Sequence, residues 1–325
     1  IKEAFYLANT GRPGPVLVDI PKDVFVEETE FDYPETIDLP SYVPAQAADA
    51  FDVKEAARLI NEAKRPLILA GHGNVISRSY EQLRELAEKS QIPVITTLLG
   101  ISSFPDTHPL CIGMPGMHGM AYANIAIDED DLLIALGMRF DDRITGKLSR
   151  FAPNAKIIHV DIDPSEIHKN VRATVPLVGD LKTVLEQLIP EVKPSSHDLW
   201  IQKIAELKEA HPPMRAKKTG ELRPQYILRT LSEATEGQAV IVTGVGQHQM
   251  WAAQHCTFTK PNSLITSGGL GTMGFEVPAA LGAQIGRPDS PVWSVAGDGG
   301  FQMTMSELAT LVENKIPVKF ALLNN

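Results

Sequence analysis

Short apolar runs alternate along this chain with stretches whose apolar positions recur every three or four residues. Pro66–Ala70, residues 94–97, Leu132–Leu136 and Lys156–Asp161 read as buried strands. Between them, Val53, Ala56, Ala57, Leu59 and Ile60 form one helical stripe with Asp52 placed to cap it, and residues 79–89 form a second. Helix and apolar strand in alternation predict an α/β domain with a doubly wound, mostly parallel sheet over residues 51–190. The pattern repeats from 224 to 325. A helix over 225–235 precedes a strand over 239–243, then GVGQHQMWAAQ and the glycine-rich SGGLGTMGFEVPAALGAQIG. A strand over 292–296 enters Gly297-Asp298-Gly299-Gly300. One amphipathic segment with Met303, Leu308, Leu311 and Val312 leads to a last strand over 318–323 and to Asn324-Asn325.

At the amino end, a helix beginning at Ile1 leads into GRPGPVLVDIPKD, where Val16, Leu17, Val18 and Ile20 read as a buried strand between prolines. Residues 1–23 are thus expected to close a preceding sheet domain. Residues 24–50, acidic and aperiodic, read as a linker over a surface, and 191–223 as a second linker holding one helix over 198–209. The chain starts inside a helix and stops after a strand, so it is expected to be an internal piece of a longer polypeptide.

The stretch around Asp298 is the richest in chemistry. A parallel sheet would set the Asp298 carboxylate and the Asn324 and Asn325 amides at carboxyl ends of strands, where open α/β folds bind ligands. One carboxylate with neutral oxygen donors suits Mg²⁺ when phosphates bring the remaining charge. Gly297, Gly299 and Gly300 let backbone N–H groups approach a phosphate at a helix start. The alternative is an aspartate in a tight turn.

Composition narrows the partners. The 325 residues suffice for about two domains and carry a net charge of -10, with 43% hydrophobic and 22% charged residues. No basic patch appears, so nucleic acid is not an expected partner. Cys111 and Cys256 start no CxxC motif, which removes a disulfide scaffold and a zinc–thiolate site and fits a reducing compartment. No apolar run nears the roughly 20 residues of a membrane span, so no membrane contact is expected. The DEDD run at 128–131 reads as a solvated charge cluster.

Seven strings carry a resemblance: GRPGPVLVDIPKD at 11–23, GMPGMHGMAYAN at 113–124, GMRFDDRITGK at 137–147, HVDIDPSEIHKN at 159–170, GQHQMWAAQ at 246–254, SGGLGTMGFEVPAA at 267–280 and GDGGF at 297–301. Asn325 follows Asp298 by 27 positions, within the GDG…NN spacing of thiamin diphosphate enzymes. Together the strings resemble the catalytic subunit of acetohydroxyacid synthase (acetolactate synthase) over nearly the whole chain, RFDDR weighing most. Gly300 departs from the family pattern, which often has serine there.

The resemblance implies that 1–23 ends a pyrimidine-binding domain, that 51–190 is a central FAD-binding domain, and that 224–325 begins a diphosphate-binding domain. Asp298 and Asn325 would hold Mg²⁺. Val245, Gly246, Gln247 and His248, with Gly271, Gly297, Gly299 and Gly300, would meet the thiamin diphosphate. Met273 would keep the cofactor folded, a wedge role that suits a long unbranched side chain; plain core filling is its alternative. His248 has a core-satisfied or surface imidazole as its alternative, and Trp251 reads as packing. FAD would contact Gly71, His72, Gly73, Thr97, Leu98, Leu99, Gly116, Met117, His118, Gly119 and Arg139, with Asp161, Ile162 and Asp180 at its adenosine end. Asp161 has a helix cap as its alternative. Asp142 and Arg143 would line substrate access, against a solvated charge pair.

The implied reaction decarboxylates pyruvate and joins the fragment to pyruvate or 2-oxobutyrate, giving 2-acetolactate or 2-aceto-2-hydroxybutyrate for isoleucine and valine synthesis. No catalytic residue is expected within the chain, because the activating glutamate would lie upstream of Ile1 on a neighbouring subunit. The chain alone is therefore expected to be inactive. The family implies a homodimer or homotetramer with active sites between subunits, a separate regulatory subunit, and a bacterial cytoplasm or a plastid as the compartment. Pyruvate oxidase and glyoxylate carboligase are the rival readings.

Overall fold

Nine strands, each parallel to its neighbours, make two sheets among the described residues, 1–213 and 222–324 of a computed structural model. The first sheet holds β1 (Pro66–Ala70), β2 (Val94–Thr96), β3 (Leu132–Leu136), β4 (Lys156–Asp161) and β5 (Val175–Val178) in the order β2-β1-β3-β4-β5. The second holds β6 (Val240–Thr243), β7 (Leu264–Thr266), β8 (Val292–Gly297) and β9 (Lys319–Leu323) in the order β7-β6-β8-β9. Each sheet runs outward from its first strand in one direction and then reverses. The reversal lies between β1 and β3 in one sheet and between β6 and β8 in the other, and such switch points open the crevices where ligands bind.

Both faces of the first sheet are covered, which is why its strands are continuous apolar runs. Ile68 and Ala70 of β1 face the helices Ala50–Glu62, Tyr80–Ser90 and Leu181–Leu188. Leu67 and Leu69 face the helix Ala121–Glu129 and the helix Asp198–Ala210. The latter helix, expected within a linker, inserts Trp200, Ile204 and Leu207 into this core, and Trp200 Nε1 donates to Pro66 O at 2.9 Å.

Several expectations are corrected. Val16, Leu17, Val18 and Ile20 form no strand among the described residues and are exposed, pairing with neither of the two sheets. Asp49, not Asp52, caps the Ala50–Glu62 helix, accepting from Phe51 N and Asp52 N. The segment after Gly297 splits into helices Asp298–Thr304 and Glu307–Glu313. Leu311 is buried there while Met303 and Val312 face solvent.

The acidic run is only partly solvated. Asp131 accepts from Lys64 N and Arg65 N at 3.0 and 2.9 Å, fixing the entry to β1. Asp130 is fully buried, and neither of its carboxyl oxygens has a hydrogen-bond partner among the described residues. Burial, reinforced by Asp131, pushes its pKa up to about 8. It follows the Ala121–Glu129 helix directly and so is drawn inside with the start of β3.

Candidate functional site

The crevice of the first sheet is floored by backbone. Gly71 follows β1, and a Cβ on it would stand 2.3 Å from Gly137 O beyond β3. A Cβ on Gly73 would stand 2.6 Å from Gly137 Cα. Gly137 itself has φ +63°, and Gly73 N donates to its carbonyl at 3.0 Å. Gly71 and Gly73 are therefore required by this close approach, whatever ligand they also meet. Buried Asn74, which the sequence reading passed over, ties the turn down by donating from Nδ2 to Gly71 O and Leu136 O. Gly137→Ala is expected to lower central-domain stability by roughly 2–4 kcal/mol, read as a fall in urea midpoint.

Around this floor stand most of the residues expected at the flavin. His72 is exposed, with Nδ1 3.0 Å from Leu99 O. Thr97 Oγ1 accepts from Gly100 N and shapes the turn carrying Leu98 and Leu99. Gly116, at φ +98°, is held by Asn124, which accepts from its N–H and donates to its carbonyl. Met117 N donates to Arg143 O at 2.8 Å, and Gly119 packs on the Pro115 backbone. Beside them a groove of about 730 Å³ is lined by Gly116, Met117, Asp142, Arg143, Lys147 and Arg150. Arg143 and Asp142 are exposed and pair with each other at 3.0 Å, while Arg139 reaches Asp141 at 3.4 Å.

The far end of the crevice lies at β4. Asp161 is buried at the strand terminus, Ile162 follows it half-buried, and Asp161 Oδ1 accepts from Asp163 N at 2.9 Å. Burial pushes Asp161 up to about 6. The cap before Ser165 is Asp163, so Asp161 is left at the strand end. Asp180 caps the Leu181–Leu188 helix by accepting from Thr183 N, and its Oδ1 also takes the Ser77 hydroxyl.

The second crevice gathers the glycine loops. After β6 come Gly244, Val245 and Gly246, with Gly246 at φ +151° opening the helix Gln247–His255. His248 is buried against the loop after β8: a Cβ on Gly297 would stand 3.0 Å from its Nδ1. Its Nε2 has no partner among the described residues, and burial lowers its pKa, so the ring is neutral at pH 7. Met273 is half-exposed, its methyl 3.6 Å from where a Cβ on Gly299 would lie. Gly271, at φ +70°, comes near Val245 Cγ1. Asp298 is exposed at the start of its helix. The register pairs Gly297 with Leu323, so Asp298 and Asn324 leave their strands side by side; Asn325 lies outside the described residues.

The two crevices adjoin. A Cβ on Gly268 would stand 3.0 Å from Leu98 Cδ2 and Leu99 Cδ2, and Gln254 Nε2 donates to His118 O at 2.7 Å. Asp106 and Phe258 bond twice across the domains, Phe258 N donating to Asp106 Oδ2 at 2.8 Å and Asp106 N to Phe258 O at 3.0 Å. The sequence reading also missed Glu276, which is fully buried between the glycine loops. Its only signal was a charge at the head of the apolar EVPAALGAQIG run.

Residues 53–188 match the family described as thiamine pyrophosphate enzyme, central domain. Residues 244–325 match its C-terminal TPP binding domain. The acetolactate synthase large subunit of Corynebacterium glutamicum is 49% identical over 331 residues, covering 100% of this chain and 53% of that protein. The chain belongs to the acetolactate synthase large-subunit family. A probable acetolactate synthase large subunit of Methanocaldococcus jannaschii is 46% identical, with 100% of this chain and 57% of the relative covered. Acetolactate synthase 1, chloroplastic, of Nicotiana tabacum is also 46% identical, over 100% of this chain and 50% of the relative. The chain spans about half the length of these relatives. In acetolactate synthase terms, the crevice between β1 and β3 is that of the central domain and the crevice between β6 and β8 is that of the thiamin diphosphate domain.

Proposed function

We propose that the protein is an acetolactate synthase, decarboxylating pyruvate and joining the two-carbon fragment to pyruvate or 2-oxobutyrate. The observation that carries the reading is the second switch point, where the β8–β9 register brings Asp298 beside Asn324 at the glycine loops. When bound, thiamin diphosphate supplies the carbanion chemistry that breaks the bond between a 2-oxo acid's carbonyl and its carboxylate.

The residues fit that cofactor. Asp298 and Asn325 would hold Mg²⁺, one carboxylate and one amide leaving room for phosphate oxygens. Backbone N–H groups of Val245–His248 and Gly299–Gly300 would face the diphosphate. The orphaned Nε2 of His248 gives a buried neutral imidazole that can take up a hydrogen bond without adding charge. Met273, leaning over Gly299, would keep the cofactor bent.

In the first crevice, FAD would lie over Gly71–Gly73, Thr97–Leu99 and Gly116–Gly119, with Arg139 toward its diphosphate and Asp161 and Ile162 at its ribose end. Asp180 already caps a helix and would contribute through position alone. Arg143 and Asp142, exposed at the groove, would guide 2-oxo acid carboxylates. Active sites shared between subunits, the upstream glutamate and a regulatory subunit belong to the same reading. The relatives' sources, bacterial, archaeal and chloroplastic, agree with a cytoplasmic or plastid setting.

The test supplies the full-length protein with pyruvate, thiamin diphosphate, Mg²⁺ and FAD, and follows acetolactate and oxygen together. Acetolactate without matching oxygen loss is the expected result. Oxygen loss with acetate or acetyl phosphate would make the protein an oxidase.

A further inference from the structure

Glu276 heads the helix Glu276–Gly286, is fully buried, and has no hydrogen-bond partner for either carboxyl oxygen among the described residues. Its carboxyl is wedged between the two loops of the second crevice. A Cβ on Gly244, after β6, would stand 2.4 Å from Glu276 Oε2, and a Cβ on Gly300, after β8, would stand 2.3 Å from Glu276 Oε1. The two glycines thus leave between them a gap that this one carboxyl fills. A side chain at 300 would meet the Glu276 carboxyl where it now stands, so one of the two must shift. We propose that Glu276 is a positioning residue of the cofactor cradle, its carboxyl standing where a side chain at 300 would be and setting the separation of the loops that hold the diphosphate.

The inference deepens the thiamin diphosphate reading and rests on it. Protein interiors transmit small displacements because they are close-packed, so a void or an intruding atom at this point shifts both loops. Burial raises the Glu276 pKa, and a carboxylate behind the cradle would repel the phosphates. Shape, rather than charge, is then what the site requires of residue 276, and the neighbouring Gly300 is its counterpart.

The experiment measures thiamin diphosphate affinity with saturating Mg²⁺, by tryptophan fluorescence, in full-length wild type, Glu276→Gln, Glu276→Ala, Gly300→Ser and the Glu276→Ala/Gly300→Ser double variant. Contacting residues couple strongly enough that Glu276→Ala and Gly300→Ser should each weaken binding about tenfold or more, while the double variant recovers to within about threefold of wild type. Glu276→Gln, isosteric and neutral, should bind like wild type. The KM for the cofactor should follow these affinities. Multiplying losses in the double variant, or a Glu276→Ala protein that binds as tightly as wild type, would overturn the inference. Should Gly300→Ser fail to fold, the contrast between the Gln and Ala variants at 276 decides alone, equal affinity in those two counting against the proposal. A wild-type protein that does not bind thiamin diphosphate would instead overturn the cofactor reading itself, so the two failures are distinct.

Discussion

Asp130→Asn is expected to stabilise the protein by about 5 kcal/mol at pH 8 and by about 1 kcal/mol at pH 4.5. The wild-type carboxyl is fully buried without a partner, and burial holds its pKa at about 8. In an unfolded chain an aspartate titrates near 4. An acid whose folded pKa is raised binds its proton more tightly in the native state. Its contribution is intact below about pH 4, erodes as pH rises toward 8, and is flat above that. At about 1.4 kcal/mol per pH unit, the penalty reaches about 4 kcal/mol by pH 7. Asparagine cannot ionise and escapes it. Asp106 and Asp161, both near 6, titrate in either protein and cancel in the difference. Urea midpoints of the two proteins at pH 4.5 and 8 test this; an equal gap at both values would mean that Asp130 is ionised when folded.

The largest functional loss is expected from Asp298→Ala. Asp298 is an exposed carboxylate at the point where β8 and β9 release their chains side by side, and among the described residues no group of three or more His, Cys, Asp or Glu could hold a metal instead. Outer partners of a metal ligand are worth about 10–100-fold in affinity, so losing the ligand itself should weaken Mg²⁺-dependent thiamin diphosphate binding by more than about 100-fold. Calorimetric titration of the full-length variant with the cofactor, with and without Mg²⁺, reads this directly. Unchanged binding would favour a binding or structural protein built on nucleotide-binding domains over the synthase.

Burial decided what the sequence disclosed. β1, β3 and β4 lie within the sheet and are apolar on both faces, so their limits could be read from the run itself. β5 escaped notice because Pro176 interrupts it, which is tolerated since β5 is an edge strand with one side free of ladder bonds. β7, also an edge, is three residues long beside a glycine-rich turn. The Val16–Ile20 run pairs with neither sheet among the described residues: hydrophobicity announces burial without naming a partner. The glycine loops of the site were visible as motifs, while the buried carboxyls of Glu276 and Asp130 were not. A glutamate opening a helix looks like an ordinary first-turn acid, and an aspartate in an acidic run looks solvated. Their burial follows from how β6 meets β8 and how the Ala121–Glu129 helix hands over to β3, which no local pattern records.

The interlock of Gly71, Gly73 and Gly137 has a practical corollary for redesign. The base of the central crevice is main chain touching main chain, so no library of side chains can reshape it without prising the sheet apart. Altered selectivity has to be sought on the rim, at Asp142, Arg143, Lys147 and Arg150, where side chains face the groove and replacements disturb no backbone contact of that kind.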